Sequence, residues 1–168
     1  MKPPATAPGP RYSASLELLR LSEALWNATR LFLTRWELSP SQFNVLNLLD
    51  DRPAGCTQIE LSRQLITHRS NVTGLLDRLA ARGLIERRVV AGDRRVFNIV
   101  LTTSGKELMK RIQPEYYRAL EQIWGSAGTN DARQFVSSFS RVVENAHRIA
   151  KEASQKTKKQ GAAYARDD

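Results

Sequence analysis

The side chains best suited to chemistry lie between residues 57 and 95. One group is His68, Arg69, Ser70, Asn71, Thr73, Gly74 and Arg78; a second is Asp93, Arg94 and Arg95. These types form hydrogen bonds and neutralise charge without breaking bonds. The arginine fork matches a guanine edge or a phosphate in two places at once, and the asparagine amide matches adenine in the same way. Residues 61–95 hold eight cations, all arginine, against three acidic residues, so more than half of the chain's net charge of +9 falls within this stretch. A concentrated basic surface points to an acidic polymer as partner.

Other chemistries find no support in the sequence. There is no nucleophile spaced with a base, no paired carboxylates and no phosphate-cradling glycine loop. The single cysteine, Cys56, excludes an internal disulfide framework, and His68 and His147 lie too far apart for metal-ligand spacing. The expectation is a protein without catalytic residues, metal or cofactor. Glu23, Arg30 and Arg35 interrupt the most apolar early segment, so no membrane span is expected. The first ten residues carry prolines at 3, 4, 8 and 10 and no signal-peptide core, which reads as a flexible tail and a cytoplasmic protein.

The elements that must position these groups follow from periodicity. Leu18, Leu21, Leu25, Ala28 and Phe32 recur at helical intervals and predict a long amphipathic helix over about 14–37. Ser39-Pro40-Ser41-Gln42 supplies a cap, a first-turn proline and a reciprocal glutamine for a helix through about Leu49, and 50–55 form the turn that ends it. Thr57 and Glu60 have capping-box spacing and start a short helix whose apolar face is Ile59 and Leu65, with Leu61 nearby. Val72, Leu75, Leu76 and Leu79 mark one side of a second helix over about 68–81, stopped by Gly83. Two short helices joined this tightly suggest a helix-turn-helix.

Opposite that apolar side lie Ser70, Asn71, Thr73, Gly74, Asp77 and Arg78. A glycine inside a helix costs about 1 kcal/mol relative to alanine, which is explicable where the backbone must approach another surface closely. Next, 84–90 and 96–101 are rich in β-branched residues and flank a five-residue connection, 91–95, predicting a β-hairpin whose Phe97, Ile99 and Leu101 face is pressed on the helices. Thr102 can cap a helix that runs through Pro114, where a kink is expected, to a break at 125–128. Ala132, Phe135, Val136, Phe139, Val142, Val143, Ala146 and Ile149 then approach a heptad seam. Past Ala150 the composition predicts a basic disordered tail, 151–168.

The run 70–79 (Ser-Asn-Val-Thr-Gly-Leu-Leu-Asp-Arg-Leu), followed by Arg82-Gly83-Leu84-Ile85-Glu86-Arg87, Asp93-Arg94-Arg95, Leu101-Thr102 and Gly105, resembles the MarR (multiple antibiotic resistance regulator) family in content and spacing. The resemblance implies a mainly α fold with a small β-hairpin, in which a winged helix-turn-helix domain (about 39–102) is flanked by long dimerisation helices (about 14–37 and 103–150). Residues 1–13 would be a Pro-rich tail. It further implies a sequence-specific transcriptional regulator, a repressor in the first instance, acting as a homodimer on an inverted repeat in double-stranded DNA.

On this pattern His68, Arg69, Ser70, Asn71, Thr73, Gly74 and Arg78 form the recognition surface, and Asp93 orients Arg95 into the minor groove beside Arg94. Half or more of protein–DNA hydrogen bonds go to phosphate and sugar, so several of these side chains serve only to position the helix. The resemblance also implies that a small aromatic effector loosens some members from DNA; Trp26 and Phe43 could line such a cleft or belong to the core. Cys56 could sense oxidants or be an inert buried thiol. A sequence-indifferent architectural nucleic-acid binder stays open as the alternative, suited to the basic tail.

Overall fold

The computed structural model describes residues 9–65, 72–90 and 93–164, without the side chains of 90, 93–96 and 158–164. His68, Arg69, Ser70 and Asn71 lie outside the described residues, as do the side chains of Asp93, Arg94 and Arg95. The chain divides into two compact units between Arg118 and Ala119.

The first unit opens with α1, Pro10–Leu33, followed by a tight 3-10 turn over Thr34–Trp36. The helix starts earlier than the expected 14 because Pro10 occupies its first turn, where a missing N–H costs nothing and the fixed φ is already helical. Glu37, at φ 53°, ends the turn, and α2, Pro40–Asp50, follows. Its Ser39 hydroxyl accepts from the Gln42 N–H while the Gln42 side chain accepts from the Ser39 N–H, the reciprocal cap read from the sequence.

Gly55, at φ +75°, turns the chain into β1, Cys56–Thr57. A side chain could not fit there: a methyl would lie 2.4 Å from the Ile99 carbonyl oxygen. Then come α3, Gln58–Gln64, and α4, Val72–Ala81. The latter closes at Gly83 (φ +67°), with Leu84 N–H bonded to the Leu79 carbonyl and Gly83 N–H to that of Ala80, which satisfies carbonyls the helix end would leave orphaned.

The wing strands are β2, Ile85–Val90, and β3, Asp93–Leu101, with β1 on the far side of β3. All pairing is antiparallel, with Cys56 opposite Ile99 and Ile85 opposite Leu101. The sequence suggested only a hairpin, since a two-residue strand carries no periodicity to detect. It also suggested a five-residue connection, whereas the backbone of 93–95 is already strand, β-pairing having continued through Val89 and Val90.

Burial along β3 differs from simple alternation. Ile99 and Leu101 are buried as expected, but so is Val100, while Phe97 is 46% exposed. Near its base β3 is covered on both sides, because the loop before β1 brings Gly55 against the Val100 side chain. Phe97 lies beyond the reach of β1, where the hairpin projects alone. Leu61 of α3 and Leu65 just after it are buried, whereas Ile59 is 64% exposed.

The core joins Leu33, Phe43, Val45, Leu46 and Leu49 with Leu61, Val72, Leu75, Leu76 and Leu79, then Ile99, Met109 and Ile112. Burying each such side chain stabilises the fold by about 1.5–3 kcal/mol. The start of α5, Thr103–Trp124, is fixed by Thr102: its hydroxyl donates to the Gly83 carbonyl at 2.6 Å and accepts from the Gly105 N–H at 3.0 Å. The helix continues through Pro114.

The second unit holds the last residues of α5, a turn with Gly125 at φ +58°, and α6, Thr129–Tyr164. Within it Phe135 packs edge-on against Trp124 and lies 4.6 Å from Phe139, centroid to centroid. The helix runs past Ala150, where disorder was expected, through residues that favour helix (Lys151, Glu152, Ala153, Gln155, Lys156) and an Arg148–Glu152 pair one turn apart. No helix among the described residues is long and apolar enough to cross a membrane.

Candidate nucleic-acid interface

The candidate surface is built on one cap and one apolar stripe. Thr57 starts α3 with a complete box: its N–H and hydroxyl both reach a Glu60 carboxylate oxygen at 2.8 Å, and its hydroxyl oxygen accepts from the Glu60 N–H. The bonds to the carboxylate, first from the Thr57 backbone and then from its side chain, hold the Glu60 carboxyl below its ordinary range. Burial of Val72, Leu75, Leu76 and Leu79 then fixes how α4 is rotated, which leaves Thr73, Asp77 and Arg78 exposed and Gly74 half-buried on the other side. Thr73, Gly74 and Arg78 are therefore brought together as the sequence predicted.

The character of Gly74 becomes clear by comparison. At Gly105 a methyl would lie 2.1 Å from the Leu84 carbonyl oxygen, so packing within the chain demands glycine there. At Gly74 it would meet only the Arg78 guanidinium at 3.5 Å, an ordinary contact, and the backbone is not left-handed. Nothing among the described residues requires glycine at 74. The same distance shows that the Arg78 guanidinium folds back one turn over Gly74.

Two features of this surface were not foreseen. The Gln58 side-chain amide, at the start of α3, donates to the Thr73 hydroxyl oxygen at 2.8 Å and bridges the two helices. No periodicity signals such a bond, because it joins positions fifteen apart through tertiary packing. The second is the ion pair between Arg87 on β2 and Asp77 on α4, at 2.7 Å. It ties the wing strand to the helix and offsets the one carboxylate on the helix's outer side, which would otherwise repel a polyanion.

The clustered arginines divide by role. Arg82 donates to the backbone carbonyls of Trp36 and Glu37 and so anchors the end of α4, while Arg88 pairs with Glu86. Arg63 and Arg78 form no ion pair among the described residues. Cys56 is buried; burial pushes its thiol up despite the Arg52 side chain nearby, and this disfavours the reactive thiolate. Phe43 is a core residue in edge-on contact with Tyr116, whereas Trp26 is exposed. Among the described residues no cluster could hold a metal ion.

Comparison with known proteins agrees with this geometry. Residues 36–96, from the end of the 3-10 turn into the wing, match the MarR family model. The chain is 37% identical over 75 residues to the transcriptional repressor MprA of Escherichia coli K12, a match spanning 45% of this chain and 43% of MprA. It is 26% identical over 130 residues to the HTH-type transcriptional repressor YetL of Bacillus subtilis 168, spanning 77% of this chain and 78% of YetL. Among solved structures, a MarR family regulator from Rhodococcus sp. RHA1 superposes with a TM-score of 0.70 at 20% identity, over 81% of this chain and 96% of that one. CouR from Rhodococcus jostii RHA1, solved bound to p-coumaroyl-CoA, gives a TM-score of 0.71 at 22% identity, over 77% and 90%. At such identities the structural likeness establishes the fold alone.

Proposed function

We propose that this chain, which resembles the MarR family, is a sequence-specific double-stranded-DNA-binding regulator and not an enzyme, acting as a homodimeric repressor on an inverted-repeat operator. The observation that carries this reading is the outer side of α4. It presents Thr73 and Arg78 around Gly74, a glycine that packing among the described residues does not require and that lets backbone approach a groove floor. In this reading His68, Arg69, Ser70 and Asn71 also contact DNA, and so do Asp93, Arg94 and Arg95 of the wing.

Repression is favoured by the relatives MprA and YetL, both named repressors. Dimer formation is supported by apolar residues left exposed on α1 (Leu19, Leu21, Leu31) and on α6 (Val136, Val142, Val143, Ile149), which a two-fold partner would cover. A small aromatic effector releases the protein from DNA; the bound p-coumaroyl-CoA of CouR supports that chemistry. The protein acts in the cytoplasm.

The test is selection of duplexes from a random library, followed by competition between the enriched and random sequences. A regulator prefers its site by at least about 10³-fold. A ratio near one would replace this reading with a sequence-indifferent architectural binder. Addition of p-coumaroyl-CoA or a free phenolic acid to the preformed complex then tests release, and an unchanged complex would remove the aromatic effector.

A further inference from the structure

We infer that Arg87 is a positioning residue for the wing: its ion pair with Asp77 holds the outer ribbon at one angle to α4, and the wing arginine adds to DNA affinity only while that pair is intact. The inference rests on the DNA-binding reading above. Directly opposed residues share a face of the sheet. Ile85 and Arg87, opposite Leu101 and Ile99, therefore lie on one face. Ile85, Ile99 and Leu101 are buried in the core, and Arg87 is the next residue outward on β2, its guanidinium 2.7 Å from the Asp77 carboxylate of α4. Its rung is also where support for the ribbon runs out. β1 pairs with β3 at Ile99 and Asn98, and one rung further out Val89 and Phe97, opposite each other, are 55% and 46% exposed. On the face away from α4 the Asn98 side chain holds β3 to the Ala54 carbonyl at 3.2 Å; on the face toward α4 the tie is Arg87.

A two-stranded ribbon has little rigidity of its own and twists readily, so its direction is set where it leaves the three-stranded sheet. The lever is long. From the Arg87–Ile99 rung, β3 runs about 13 Å to residue 95 at about 3.3 Å per residue. A tilt of roughly 10° at that rung carries the tip about 2 Å, well past the tolerance of a hydrogen bond. In the free protein the pair contributes little, because its side chains are 43% and 55% exposed and water screens them. Seating α4 against DNA changes this. Water leaves the helix's outer side, and the attraction between Asp77 and Arg87 grows as the local dielectric falls. The tie is strongest in the complex, where the wing has to be aimed. Removing either partner breaks it, whereas the two charges taken singly act on a polyanion with opposite signs.

The test measures what Arg95→Ala costs in three backgrounds of the full chain, namely wild type, Arg87→Gln and Asp77→Asn, each competed on the duplex that wild type enriches. In the wild-type background the loss of affinity should be roughly tenfold, as for a groove arginine. In each of the other two it should shrink to about twofold or less, since an untied wing no longer delivers its arginine. The melting temperatures of the free Arg87→Gln and Asp77→Asn proteins should hardly move. A loss of the same size in all three backgrounds, with Arg87→Gln weakening binding and Asp77→Asn strengthening it, would show two independent charges and overturn the inference. So would a free variant that melts far below wild type, because the pair would then be a fastening of the fold. If wild type enriches no duplex, the DNA-binding reading falls and takes this inference with it. If a duplex is enriched but Arg95→Ala costs nothing in the wild-type chain, the wing leaves that reading and the inference goes too. A wild-type loss that persists in both variants removes the inference alone.

Discussion

At the scale of single residues, glycines 55, 74 and 105 separate what the fold needs from what recognition needs. A methyl at Gly55 or Gly105 would collide with backbone, whereas among the described residues Gly74 has room for one. Gly105→Ala should therefore lower the melting temperature markedly, while Gly74→Ala should hold or raise stability by up to about 1 kcal/mol through helix propensity. The same Gly74→Ala protein should bind its operator more weakly; affinity equal to wild type would show that the glycine serves no close approach. Arg95→Ala is expected to weaken operator binding by about 1–3 kcal/mol with the fold retained, and unchanged affinity in a competition assay would remove the wing arginine from the interface. Residue type and helical angle were enough to group Thr73, Gly74 and Arg78 in advance. They could not reveal that Asp77 is paired with Arg87 or that Gln58 meets Thr73, because both contacts depend on how separate elements pack.

At the scale of elements, the parts encoded locally were the legible ones. Caps at Ser39 and Thr57 and the stop at Gly83 depend on residues within a turn of each other, and the structure shows all three. Errors arose where a neighbour out of reach of local pattern decided the outcome. Val100 is buried by the loop before β1, Phe97 is left exposed beyond it, and Ile59 is exposed where Leu61 and Leu65 are buried. The Thr57–Glu60 box also gives a pH dependence of known sign. Its bonds lower the folded-state carboxyl from an ordinary 4.5, so near that pH the unfolded chain binds more protons than the folded one. The stabilisation is present above 4.5 and lost as pH falls through the lower folded value. Glu60→Gln should therefore flatten the acid limb of a stability-versus-pH curve, measured by denaturant melts from neutral to acidic pH. Thr57→Ala should cost about 1 kcal/mol near neutrality. An acid limb identical in Glu60→Gln and wild type would show that the box does not titrate as described.

At the scale of the whole molecule, charge and apolar surface make separate demands that one assembly can meet. Residues 61–95 place most of the net +9 beside the helix-turn-helix, although Arg82, Arg87 and Arg88 are engaged within the chain. Binding led by phosphates releases counterions, so log affinity should fall linearly with log salt, with a slope near −0.9 per phosphate contacted. Six or more contacts would make that fall steep, and a flat response would argue against phosphate-led binding. The exposed valines of α6 allow the dimer to be tested by the same measurement. Val136→Glu with Val143→Glu places charge on surface that a two-fold partner would cover and leaves α3, α4 and the wing untouched. A dimer places two recognition helices about 34–36 Å apart on one face of the duplex, so each protomer supplies half of the phosphate contacts. The double variant should sediment as a monomer, lose its preference for the inverted repeat over a single half-site, and show a salt slope about half that of wild type. A monomeric variant with the full slope would mean that one protomer makes all the contacts, and the two-fold arrangement on the operator would have to be abandoned even though the winged helix still binds DNA.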